Sequence, residues 1–146
     1  MSSLEENLMN AKYHLRIAEQ TYESYRKFSE KSLINATINE LFISVFHILK
    51  IISKLEKTAI KNPLKNQRKL KKILSRHFSK EISENLIKIL NIKCSIKNSH
   101  IEFKKKETIV LLISGEYKFL KVERLKDFQN SINNSLKTLS QEIRQI

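Results

Sequence analysis

Hydrophobic side chains recur along most of this chain in alternating steps of three and four, the spacing that gathers them on one side of an α-helix. The densest stretch runs from Leu33 to Leu55. There Ile34, Ile38, Leu41, Val45, Ile48, Ile52 and Leu55 form one face, and Phe42, Phe46 and Leu49 form a second stripe beside it. A helix that is apolar on two adjacent faces must be covered by neighbours, so this stretch predicts the central helix of a bundle. Its longest charge-free run, Leu41 to Leu49, is ended by Lys50. That run is far short of the ~20 residues of a membrane span, which predicts a cover of protein and no membrane.

Ahead of it, Leu4, Leu8, Ala11, Leu15, Ala18, Tyr22 and Tyr25 make a single matching seam. Ser2 or Ser3 can cap this first helix, with Glu5 or Glu6 as the returning half of a capping box. The two helices are expected to form an antiparallel hairpin. Its connection is read at Phe28 to Ser32, with Ser29 and Ser32 as candidate caps of the second arm. That arm should end near Lys61, because Pro63 disfavours helical geometry at Asn62. Asn62 as cap and Pro63 as first residue then open a third helix. A fourth, capped by Ser79 or Ser83, carries Ile82, Leu86, Ile89 and Leu90.

From Ser95 the period changes. An apolar run from Thr108 to Ile113, then Ser114-Gly115-Glu116, then Tyr117 to Val122 with alternate aromatics reads as a β-hairpin turning at Gly115. A hairpin this short needs to pack against the helices. The last helix, from about Glu123, should bury Leu125, Phe128, Ile132, Leu136, Leu139 and Ile143. The predicted fold is mainly α: an up-down bundle of four to five helices with a small β-hairpin before the C-terminal helix, one domain over residues 1–146.

Composition narrows the chemistry. Gly115 is the only glycine, so no glycine-rich phosphate loop can be built, and Pro63 is the only proline. Cys94 is the only cysteine, which excludes an internal disulfide and a CxxC metal knuckle. The histidines His14, His47, His77 and His100 include no pair spaced i, i+4, so neither a helical metal site nor a cofactor is expected. His47, inside the apolar helix, reads as a core histidine with a hydrogen-bond partner. The acidic, amphipathic N-terminus lacks a basic-then-apolar leader, which points to a cytoplasmic protein.

Charge adds the main functional clue. Of a net +13, nearly all lies in residues 57–106, which carry fifteen basic and three acidic side chains. On the predicted third helix Lys65, Lys69, Lys72, Arg76 and Lys80 fall on one stripe about 22 Å long, flanked by Lys61 and Arg68. Leu70, Ile73, Leu74, His77 and Phe78 fall opposite. Further on, Lys97, Asn98, Ser99, His100, Lys104, Lys105 and Lys106 mix charge, amide and hydroxyl groups. Such residues can meet phosphate oxygens, or can simply close a helix as a solvated loop. The partners that suit this block are phosphate backbones, anionic lipids or an acidic protein. Only Phe78, Phe103, Tyr117 and Phe119 stand near it to stack on bases, so selectivity for base sequence is not expected.

The hairpin whose second arm is NATINELFISVFHILKIISKLE resembles the HEPN class of small helical bundles. The segment KNSHIEFKKKETIVLL resembles an archaeal branch of that class, in which a Lys-rich, Ser-containing turn, Glu-Phe and a basic pair precede a short strand. The likeness spans most of the chain and is motif-like over residues 97–106. It implies a helical bundle that forms a homodimer or pairs with a nucleotidyltransferase. Ribonuclease members carry an Arg, a polar residue, then four to six residues and a His. Here Arg76 and His77 are adjacent, eight residues separate Arg68 from His77, and His100 is preceded only by Lys93 or Lys97. Lysine lacks the planar fork of arginine, so the fold carries over and the nuclease site does not. The expected function is a non-catalytic, RNA-binding helical module that contacts phosphates through a basic face. The alternative is a protein-interaction module, as a homodimer or with an acidic partner. A third reading is a degenerate ribonuclease with His100 as general acid or base.

Overall fold

Helices α1 (Ser3–Phe28), α2 (Lys31–Glu56), α3 (Gln67–Ser75) and α4 (Lys80–Ile96) are followed by strands β1 (Ile101–Lys105), β2 (Thr108–Ile113) and β3 (Glu116–Lys121), then by α5 (Arg124–Arg144). The computed structural model describes residues 2–60, 65–96, 101–105, 108–113 and 116–146. This is the mainly α bundle with a β insertion before its last helix that the periodicity predicts.

Helix α1 starts where expected: Ser2 Oγ accepts the Glu5 N–H at 3.1 Å, and Glu5 and Glu6 lie in the first turn, where the helix dipole favours acids. Its end corrects one expectation. Ser29 takes a left-handed conformation (φ 56°) and returns its N–H to the Tyr25 carbonyl at 2.7 Å. Ser29 therefore closes α1, and Glu30, without a side-chain cap bond, opens α2. A link this short holds the two arms antiparallel.

The seam between the arms is apolar at its centre, with Ala11, Ala18, Ile34, Val45 and Ile48 all fully buried. A row of polar pins runs through the seam and along its edge, with Thr37 and Ser44 fully buried. Thr21 and Thr37 share a hydroxyl bond of 2.7 Å, and Ser44 donates to the Ala11 carbonyl at 2.8 Å. His14 Nδ1 donates to Glu40 at 2.5 Å, His47 Nδ1 donates to Asn7 at 2.9 Å, and Lys54 reaches Ser3. Asn7, His14 and Thr21 stand at seven-residue steps, as do Glu40, His47 and Lys54. These are the flanking positions of a two-helix seam, which choose register and direction.

Helix α2 stops at Glu56, five residues before the expected end, because Lys57 turns left-handed (φ 53°) and Ser53 Oγ donates to the Thr58 carbonyl at 2.6 Å. The expected cap at Asn62 and helix start at Pro63 lie outside the described residues. The second apolar stripe is covered only in part: Leu49 is buried, Phe42 is half-buried and Phe46 is 46% exposed. Helices α1, α4 and α5 pack on α2 and leave that edge open. By length and composition α2 also passes for a membrane span, but half of its most apolar window is buried inside the bundle. Its burial, more than Lys50, assigns it to the protein core.

Helix α4 begins at the Ser79 cap, whose Oγ accepts the Ile82 N–H at 3.2 Å. It packs on α2, α3 and α5 with Leu86, Ile89 and Leu90 buried. Along α5 Leu125, Phe128, Ile132, Leu136 and Leu139 are buried as expected, and Ile143 is partly so. The hairpin β2–β3 is present, antiparallel, with Ile109 opposite Leu120 and Val110 opposite Phe119. The Gly115 turn lies outside the described residues. Strand β1 extends the hairpin to a three-stranded sheet of order β1-β2-β3, an addition that the sequence did not announce. Ile109 is fully buried and Leu120 packs on the core, which fixes this face of the sheet inward.

The polar pins make a quantitative claim. His14→Ala leaves the part-buried Glu40 without its cross-helix donor and should cost about 1–3 kcal/mol. Because the two contacts are one interaction, the cost of Glu40→Ala should fall in the His14→Ala background. Urea denaturation of the four proteins of this double-mutant cycle measures it, and additive costs would mean that the pair does not hold the arms together.

Candidate nucleic-acid interface

The basic face rests on a short helix. Asn66 caps α3 by accepting the Lys69 N–H at 3.2 Å, and Leu70, Ile73 and Leu74 anchor its inner side. Arg68, Lys69 and Lys72 are exposed. Spaced three and four apart about Lys72, they share one surface spanning about 6 Å of helix. The continuous stripe from Lys65 to Lys80 does not form. Lys65 precedes the Asn66 cap, Arg76 is the C-cap of α3, and Lys80 is the first residue of α4. The break follows from Phe78 turning into the core, where it is 7% exposed, and from Ser79 capping the next helix.

The cations of this region divide into two groups. Lys71 pairs with Glu84 at 3.2 Å, and Arg76 pairs with Glu56 at 2.8 Å. Among the described residues, Lys65, Arg68, Lys69, Lys72 and Lys80 have no ion-pair partner, and all five are exposed. Arg76 is thus half committed to the fold, and the other five carry the outward charge. Lys97, Asn98, Ser99, His100 and Lys106 lie outside the described residues. Lys104 and Lys105 are placed as positions of β1, with a register irregularity between Phe103 and Lys105.

His77 sits beside this face with both ring nitrogens engaged. Nε2 is 2.8 Å from Glu56 and Nδ1 is 2.9 Å from Glu142, and the side chain is 12% exposed. His77 therefore ties the end of α2 to the end of α5 and has no nitrogen left for a substrate. The hydrogen bond from His77, aided by Arg76, holds the Glu56 carboxyl below the usual carboxylate range against the opposing effect of burial.

A second histidine cluster escaped the sequence reading, which looked for pairs within one helix. His14 and His47 come together across the α1–α2 seam with rings 6.0 Å apart and nearly parallel, at 11°. Burial, then Lys50 and His14, lower the His47 pKa. His47 has the expected hydrogen-bond partner in Asn7, but it is part-buried at the edge of the seam and not in the core. The seven-residue spacing of His14 with Asn7 and of His47 with Glu40 was the available signal. Among the described residues no three His, Cys, Asp or Glu side chains are arranged to hold a metal ion.

No protein-family model, curated protein or solved structure matches this chain.

The Glu56 contact sets an acid limit. Its folded-state pKa lies below the unfolded value, so its contribution is complete above the ordinary carboxylate pKa of about 4.3 and is lost as pH falls through the lower folded value. The melting temperature should fall below about pH 4, and Glu56→Gln should flatten that fall. Thermal denaturation of both proteins across acid pH checks this, and parallel profiles would show that the His77–Glu56 contact contributes nothing.

Proposed function

We propose that this chain is a non-catalytic nucleic-acid-binding module whose ligand is RNA and whose contacts are mainly with phosphates. The observation that supports it is the set of five exposed cations, Lys65, Arg68, Lys69, Lys72 and Lys80, without acidic partners among the described residues. Such a set creates a local positive potential that a phosphate backbone can neutralise, with release of its condensed counterions. Lys97, Asn98, Ser99, His100, Lys104, Lys105 and Lys106 extend the same reading along the chain. Absence of catalysis agrees with the engagement of both His77 nitrogens and with the missing Arg–His spacing. The likeness to HEPN bundles is compatible with this role and adds a second reading. Met9, Tyr13 and Phe46 are 56%, 61% and 46% exposed on the α1–α2 arms, which favours a protein contact there. In that reading the chain forms a homodimer or meets an acidic partner such as a nucleotidyltransferase.

Salt dependence separates the two. On a single strand each phosphate contact contributes about −0.7 to the slope of log K against log salt, so the three cations of α3 supply about −2. Reversing Lys69 and Lys72 to Glu should weaken binding to all RNA sequences alike and reduce the slope by about 1.4, with the apolar side of α3 untouched. Anisotropy titrations with a fluorescent RNA at three salt concentrations give both numbers. Equal slopes in the two proteins would remove α3 from the interface, and copurification of a stoichiometric acidic protein would favour the second reading.

A further inference from the structure

The small sheet offers something that phosphate contacts do not use. Strand β3 lies at the sheet edge, and its alternation sends Leu120 to the core and Tyr117 and Phe119 to the other face, where they are 66% and 61% exposed. Residues two apart on a strand are about 6.8 Å apart. Bases stacked in a duplex strand stand about 3.4 Å apart, so two rings at twice that distance suit bases that have been unstacked.

Beside Phe119 a groove of about 600 Å³ opens between β3, α4 and α5. Leu120, Ile92 and Phe128 give it an apolar floor, and Lys88, Lys118, Lys121 and Arg124 stand around it. No carboxylate lines it. Two of these cations are shared, Arg124 with Asp127 at 2.9 Å and Lys118 with Glu116 at 3.6 Å. Lys88 and Lys121 are exposed and have no ion-pair partner among the described residues. An apolar floor, the Phe119 ring at the rim with Tyr117 next along the strand, and a cationic border match a nucleotide, which joins a flat apolar base to an anionic phosphate. A duplex keeps its bases stacked inside and could use only the border. An acidic peptide would likewise satisfy the lysines and leave the rings unused.

We propose that Tyr117, Phe119 and this groove form a base-stacking subsite that makes the protein select single-stranded over double-stranded nucleic acid, an inference that rests on the phosphate-binding reading above. The cations of α3 then supply attraction common to all polyanions, and β3 supplies discrimination between unstacked and stacked bases.

The chain contains no tryptophan, so Phe119→Trp creates a single tryptophan at the subsite, which can be excited selectively over the four tyrosines. Titration with single-stranded oligouridylate should quench it to saturation, whereas a duplex RNA of the same length, inorganic polyphosphate and polyglutamate should not. In parallel, Tyr117→Leu with Phe119→Leu should weaken binding of the single strand by about tenfold or more. Polyphosphate affinity and the salt slope should stay as in the wild type. Both positions are exposed, so circular dichroism and the melting temperature should be unchanged. Undiminished single-strand binding by the double variant, or equal quenching by polyphosphate, would overturn the stacking subsite while leaving the phosphate reading in place. Quenching by polyglutamate would overturn it in favour of an acidic protein. If the wild type bound neither RNA nor polyphosphate, the phosphate reading itself would fail and the subsite with it.

Discussion

Register between α1 and α2 is the constraint on which the rest of the molecule depends. An apolar seam of Ala, Leu, Ile and Val tolerates sliding by a whole heptad, because similar side chains meet again after each shift. The pins between Asn7 and His47, His14 and Glu40, and Thr21 and Thr37 remove that freedom. A shifted register would leave half-buried polar groups without partners, at a cost of about 1–3 kcal/mol each. Fixing the register also fixes where α2 ends. Glu56 then stands where His77 and Arg76 can reach it, and His77 in turn draws in Glu142 from α5. The helix hairpin, the α3–α4 turn and the last helix are thus joined at one point, with the cations of α3 on the outside.

The surface divides its charges by what surrounds them. Arg76, Lys71 and Arg124 pair with acids of the same chain at or near the surface, where exposed pairs contribute at most about 1 kcal/mol each to stability. The unpaired lysines contribute nothing comparable to the fold, and a cluster of them repels itself. Under the proposed function, the exposed cations of α3 would supply charge that tracks a backbone, and the exposed rings of β3 would accept bases. They lie on different elements, α3 and β3, so one can be altered without the other.

Strongly periodic segments were legible in the sequence. The α1 and α2 seams, the apolar faces of α4 and α5 and the β2–β3 hairpin all follow from the spacing of Leu, Ile, Val and aromatic residues. The misses have local causes. Lys65 to Lys80 keep a helical charge spacing, but a charge pattern costs little to interrupt, and burying Phe78 together with the Ser79 cap outweighs it. Ser29 looks like an N-cap by residue type, and its left-handed backbone, which decides otherwise, is invisible in a one-letter code. Gln129, Ser131 and Ser135 are buried on α5 between the apolar positions that periodicity selects. For the candidate site, the charge block marked the region of chain that carries the exposed cations of α3. It could not separate Arg76, held by Glu56, from Lys69 and Lys72, because that distinction depends on a contact between residues twenty apart.

The most direct test of this account maps contacts in place of measuring affinity. A single-stranded RNA carrying 4-thiouridine, irradiated in complex with the wild-type protein and digested, reports which peptides lie against the bases. Adducts are expected on the peptides that contain Tyr117 and Phe119, with protection of Lys69 and Lys72 from lysine-modifying reagents when RNA is bound. Adducts confined to the α1–α2 face around Tyr13 and Phe46, or unchanged reactivity of Lys69 and Lys72, would contradict it.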